Sequence, residues 1–181
     1  VIADGYDLDT APVLCLRRES WAAMVSHMDL ICDAHLDLAI NAVFFDRDLT
    51  LPLDEMRNAE KHMKDHKARG RGAITFPEMR KGGIGLCVAS LLARSNGGSR
   101  PAKGFSRIDF DYATDYGSYG AAWAQLACYR YLEKTGEISL LADSTEMREH
   151  WKRWEETGGE EKKMTGLPVG IVLSMEGADP I

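Results

Sequence analysis

Ile84-Gly-Leu-Cys-Val-Ala-Ser-Leu-Leu92 is a nine-residue run broken only by a glycine and a serine. A strand with one solvated face alternates apolar and polar residues, so a run this uniformly apolar belongs inside a parallel sheet, covered on both faces. Upstream, Leu30-Ile-Cys-Asp-Ala-His-Leu-Asp-Leu38 carries polar residues at every second position. That is also a strand pattern, and it puts Ile31, Asp33, His35 and Asp37 on one face. Downstream, Pro168-Val-Gly-Ile-Val-Leu-Ser-Met-Glu176 predicts a third strand.

Helical patterns separate these runs. Trp21, Met24, Val25 and Met28 repeat at helical spacing, after an irregular lead-in over residues 1–16. A loop with Pro52 leads into a charged helix over residues 53–69. Residues 76–85 read as a turn into the second strand, and residues 96–104 as a Gly/Ser/Pro loop. A long helix is predicted over residues 112–134, closed by Gly136. Asp143 and Glu146 form a capping box for a helix running to about residue 156, and residues 157–166 read as a charged, glycine-rich loop. Strands alternating with helices imply an α/β fold built from βαβ units. With no linker and no short repeat, residues 1–181 form one domain. A (β/α)8 TIM barrel takes about 250 residues, so the expectation is its N-terminal portion, with about three βα units.

The 181 residues, 45% of them hydrophobic and 28% charged, are enough to bury a core, and the net charge is −6. That acidity argues against nucleic acid or an anionic membrane as partner. No apolar run of about 18 residues predicts a transmembrane segment, and no signal-peptide pattern is evident. Cys15, Cys32, Cys87 and Cys128 form no Cys-x-x-Cys pair, which leaves a zinc ribbon or a thioredoxin-like motif unsupported. Cys32 and Cys87, inside apolar runs, are expected to be buried free thiols. A reducing compartment, the cytoplasm, is the expectation.

Asp33-Ala-His35-Leu-Asp37 carries the chemistry. Two carboxylates and an imidazole on one strand face are costly to bury unless a cation or hydrogen bonds compensate. A divalent metal does so, and His nitrogen and Asp oxygen both suit zinc. The same residues equally fit a loop histidine between solvated aspartates. Glu176 ends the third strand, just before Gly177. It can pair with an arginine or cap a loop. On the same sheet edge as His35 and Asp37, it can instead bridge two metals about 3.5–4 Å apart.

Asp33-Ala-His35-Leu-Asp37, Phe76-Pro with Gly82-Gly-Ile-Gly85, and Ser174-Met-Glu176-Gly177 stand in the order and spacing of the membrane (renal) dipeptidase family. The Gln125-Leu-Ala…Tyr131 helix and the residue 167–176 strand are similar to it as well. The chain therefore resembles the N-terminal part of that family from about Arg17 onward. The resemblance implies an amidohydrolase-type TIM barrel with two zinc ions, which hydrolyses dipeptides with a metal-activated bridging water. His35 and Asp37 would match ligands of the first zinc, and Glu176 the carboxylate bridging both. Asp33 would support the ligands without binding metal. The family's remaining ligands and substrate contacts lie on later strands, beyond Ile181. Family members often dimerise, so a homodimer is an expectation. Alternatives are a same-fold amidohydrolase acting on N-acyl amino acids or lactones, and a non-catalytic module that packs against another chain.

Other features read as structural. His62 and His66 stand four apart, but among lysines that mark a solvated face. Gly82-Gly-Ile-Gly85 precedes its strand, unlike a nucleotide loop, and reads as a tight turn. Arg94 reads as a surface arginine, and His150, Trp151 and Trp154 as an amphipathic helix face. Tyr112, Tyr116 and Tyr119 either line a mouth or cover the core.

Overall fold

A computed structural model describes residues 29–98 and 100–181. In chain order the elements are β1 (Ile31–Leu36), α1 (Leu38–Val43), α2 (Leu53–Glu60), α3 (Phe76–Lys81), β2 (Ile84–Leu92), β3 (Arg94–Ser95) and β4 (Asp111–Tyr112). They continue with α4 (Asp115–Lys134), β5 (Ile138–Leu140), α5 (Ser144–Glu155), α6 (Glu161–Met164) and β6 (Val169–Glu176). β1, β2, β6 and β5 make one sheet in that order, every pairing parallel. The fold is α/β. β3 and β4 form a separate two-stranded ribbon.

β2 matches its predicted span, and its sequence explains its place. It hydrogen-bonds on both sides, and Cys87, Ala89 and Leu91 sink into the main core with Tyr129, Phe76 and Met79. Its pairing with β6 is unbroken from Leu86 opposite Gly170 to Leu92 opposite Glu176. Against β1 the register slips twice, between Ile31 and Cys32 and between Asp33 and Leu36. Gly85 and Gly170 lie where α5 presses on the sheet. A Cβ on Gly85 would come 2.6 Å from the Trp154 ring, and one on Gly170 2.7 Å from the His150 ring. The Trp154 indole donates to Pro168 O at 3.0 Å, and His150 Nε2 bonds Gly85 O at 2.8 Å. These contacts bear out the packing helix expected around His150 and Trp154. Asp143 caps α5 as predicted, accepting from Thr145 N and Glu146 N, while Glu146 reaches back to Ala142 N.

Several elements differ from expectation. β1 stops at Leu36, and Asp37 (φ −90°, ψ 58°) turns the chain straight into α1, where a loop was expected. The charged helix ends at Glu60, nine residues early. Its Glu60 carboxylate is buried and accepts from Arg47 Nε at 2.9 Å, Arg69 Nη1 at 2.7 Å and Gly70 N at 2.8 Å. A helix continuing to residue 69 could not fold Arg69 and Gly70 back onto Glu60. His62 and His66 thus do not share a helix; the His66 ring packs on Phe45 and its Nδ1 accepts from Ala68 N. Residues 76–81, expected as a turn, form α3, whose first turn accommodates Pro77. β5 and the β3–β4 ribbon are too short to leave a periodic signal. The long helix begins at Asp115, capped by Thr114, and Gly136 (φ 83°) closes it as predicted. The helical spacing around Trp21 lies outside the described residues.

Cys32 is exposed, against expectation, because β1 is an edge strand. Cys87 is buried as expected, and burial, with Asp33 and Cys32 nearby, pushes its thiol up to about 12. Cys32, Cys87 and Cys128 are free, and Cys15 lies outside the described residues. Among the described residues, no helix is long and apolar enough to cross a membrane.

Candidate metal centre

Parallel strands bring their C-terminal ends to one edge of a sheet. β1 ends at Leu36, opposite Ala89 of β2, and β6 ends at Glu176, opposite Leu92. The residues at and just past those ends therefore meet at one edge. His35 is on the last turn of β1's pleat, Asp37 on the bend that follows, and Glu176 on the last residue of β6. One ligand atom from each lies within 4.8 Å of the other two.

The spacings are informative. His35 Nε2 stands 3.4 Å from Glu176 Oε2 and 3.6 Å from Asp37 Oδ1. Both exceed the usual 2.7–3.2 Å of an N–H···O bond. With zinc–ligand distances of about 2.0–2.2 Å, two ligands at tetrahedral positions lie roughly 3.3–3.6 Å apart. Each carboxylate thus stands at a ligand-to-ligand separation from the imidazole, the three ligand atoms lie within 4.8 Å of one another, and one nitrogen with two carboxylate oxygens is a donor set that zinc accepts. The three residues fit the ion. Their side chains are about half exposed, at 55% for His35, 40% for Asp37 and 48% for Glu176, so the edge is open to solvent and to a small ligand.

Two neighbours shape the donor set. Asp33, predicted to support the ligands, does not join the cluster; its Oδ1 accepts from His35 N at 3.0 Å and fixes the backbone under the imidazole. Ser90, on β2 between the two ligand-bearing strands, donates its hydroxyl to Asp37 Oδ1. Ser90 is fully buried, and no local pattern in the sequence marks it. The only signal was a lone hydroxyl in the most apolar strand. Asn41 Nδ2 donates to Asp37 O at 2.7 Å, and Arg47 Nη1 donates to Asn41 Oδ1 at 2.5 Å. That chain of bonds ties the Asp37 bend to the buried Arg47–Glu60 pair.

No family model, curated protein or solved structure matches the chain. The geometry at the sheet edge therefore carries the functional reading.

The remaining candidates fall elsewhere. Arg94 is exposed, as expected, and pairs with Asp111 at 2.6 Å. Tyr112 packs against the smaller core around Phe44 and Ile40, and burial raises its hydroxyl above the ordinary value. Tyr119 is half exposed and lines an apolar groove with Leu91, Trp123 and Met175, while Tyr116 faces solvent. Of the three tyrosines, one covers core and one borders the strand that carries Glu176.

Proposed function

We propose that this chain is part of a zinc-dependent hydrolase of the membrane dipeptidase type, cleaving the amide bond of small dipeptides. The observation that carries the reading is the convergence of His35, Asp37 and Glu176 from two parallel strand ends, with both carboxylates at zinc-ligand separations from the imidazole. Further support comes from β1, β2 and β6, which lie side by side and parallel, as strands of a (β/α)8 barrel do, although the short β5, which precedes β6 in the chain, pairs on its far side. In that architecture, strand C-terminal ends carry the active site. Free thiols at Cys32, Cys87 and Cys128 fit a reducing compartment, the cytoplasm in this reading.

His35 would hold the ion through Nε2, Asp37 through a carboxylate whose Oδ1 also receives the Ser90 hydroxyl, and Glu176 through Oε2. Bound zinc supplies a Lewis acid and a water acidified towards neutrality. The chain's own residues do the rest. Asp33 and Asn41 fix the backbone on either side of His35 and Asp37, so both side chains are held before any ligand arrives. The half-exposed edge leaves room for a substrate carbonyl.

The test is metal content by mass spectrometry on zinc-equilibrated protein, beside His35→Ala and Glu176→Gln. Zinc retained by the wild type and lost from both variants supports the reading. Zinc absent from all three refutes it. A second reading, a module that packs on another chain, is favoured by one observation. An apolar groove of about 480 Å3 runs between Cys32, Leu86, Met147 and Trp151, beside exposed Ile31 on edge strand β1. A concentration-dependent sedimentation coefficient would support it, and monomer at every concentration would remove it.

A further inference from the structure

Ser118, Gln125 and Tyr129 are polar residues of α4, and all three are fully buried. Spaced seven and four apart, they share one helix face, and each bonds a different part of the sheet's C-terminal edge. The Tyr129 hydroxyl accepts from Ala39 N and donates to Ser90 O, both at 3.1 Å. It thereby joins the start of α1, two residues past Asp37, to the residue whose side chain holds the Asp37 carboxylate. The Gln125 amide clamps Leu92, accepting from its N at 2.9 Å and donating to its O at 2.7 Å, and Leu92 is the register partner of Glu176. Ser118 Oγ pairs with Ser95 Oγ at 2.8 Å and stands 2.9 Å from Asp115 O of its own helix and 3.3 Å from Asp179 O. The Asp179 carboxylate accepts from Ser95 N, which anchors the loop that leaves Glu176.

A buried polar group is kept where it has partners that repay its desolvation. A helix needs no such row for its own stability, and an apolar face would pack α4 as well. We propose that Tyr129 and Gln125 of this row, acting through Ser90 and Leu92 respectively, are the positioning machinery of the metal centre. Tyr129 with Ser90 sets the place of Asp37, and Gln125 sets that of Glu176. The inference rests on the metal-centre reading above. None of these residues touches the ion; they determine whether two carboxylates on different strands stand at one ion's ligand spacing.

The experiment is titration of the full chain with cobalt(II) alone, followed by its visible absorption spectrum, which reports coordination rather than folding. Ser90→Ala, Tyr129→Phe and Gln125→Leu are compared with Ile138→Val, a core change on β5, away from the donor set. Loss of a partner that orients a ligand typically weakens metal binding roughly 10- to 100-fold. The expected result is such a loss, with an altered spectrum, in the three variants and neither in Ile138→Val. Unchanged affinity and spectrum in variants whose circular dichroism is native would overturn the positioning role and leave the metal centre standing. No cobalt bound by the wild type would overturn both. Should Tyr129→Phe or Gln125→Leu lose the native fold, Ser90→Ala decides, since it removes a single hydroxyl.

Discussion

Glu60→Gln is the perturbation that best probes how the fold supports the Asp37 bend. Burial alone would raise the Glu60 carboxyl. Hydrogen bonds from Arg47, Arg69 and Gly70 N outweigh it and lower the group from 4.5 to about 2. A depressed carboxyl contributes stability that is present in full above its unfolded value. That contribution disappears as pH falls through the folded value. The window is therefore pH 4.5 down to 2, and about 2.5 units at 1.36 kcal/mol each gives about 3 kcal/mol. The side chains of Arg47, Glu60 and Arg69 are only 5%, 6% and 8% exposed, so water screens the network little. Replacing the carboxylate by an amide leaves the buried Arg47 guanidinium without its counter-charge and Arg69 with Asp65 alone, a loss of about 3–5 kcal/mol at neutral pH. The assay is urea unfolding of wild type and variant from pH 7 to pH 2. Wild type loses about 1.4 kcal/mol per pH unit from Glu60 inside the window, and the variant lacks that component. A variant within about 1 kcal/mol of wild type at pH 7, with the same slope below pH 4.5, would refute the argument.

His150→Gln tests a second titration. Burial, with Arg153 beside it, depresses the imidazole below its ordinary 6.5, against the opposing bond to Gly85 O. Wild type should lose stability as pH falls below about 6.5, and thermal melts of the variant should show a shallower dependence there. Gly85→Ala and Gly170→Ala should each destabilise by about 1–3 kcal/mol, because the new Cβ meets Trp154 or His150 under 3.0 Å; chemical unfolding that leaves either unchanged would contradict the packing of α5. Gly120→Ala points the opposite way. It sits in α4 with nothing within 4 Å of a Cβ, so alanine should stabilise by about 0.8–1 kcal/mol on helix propensity. Zinc at a hundred times its dissociation constant should add about 2.7 kcal/mol, raising Tm by roughly 5–10 °C; a His35→Ala variant that gains as much would place the ion elsewhere.

The sequence made legible what depends on local pattern. β2 is continuous apolar residues, α5 begins where Asp143 and Glu146 cap it, and α4 closes at Gly136. His35, Asp37 and Glu176 were legible as well, because a parallel sheet brings strand C-termini to one edge whatever lies between them. The early stop of α2 was not legible. Residues 61–69 carry good helix formers, and the Arg47–Glu60–Arg69 network overrides them through bonds spanning 13 and 9 residues. Ser90, Gln125 and Tyr129 escaped for the same reason, since their partners stand 53, 33 and 90 residues away. A buried polar residue shows in a sequence only as an interruption of an apolar pattern, and the interruption does not say which backbone group it satisfies.

That division has a consequence for how the centre is built. Ion pairs between groups as exposed as His35, Asp37 and Glu176 contribute about 0–1 kcal/mol, and the two carboxylates repel each other. Mutual attraction therefore does not assemble the cluster in the absence of a cation. What assembles it lies beneath: the hydroxyl of Ser90, the clamp of Gln125 on Leu92 and the bridge of Tyr129 from Ala39 to Ser90 are all buried. In that dry layer a missing partner costs about 1–3 kcal/mol. The cost of holding like charges together is thus met during folding, by groups that never reach the surface. An ion arriving at the edge would find its ligands already spaced, and its affinity would depend less on the exposed carboxylates than on the helix behind them.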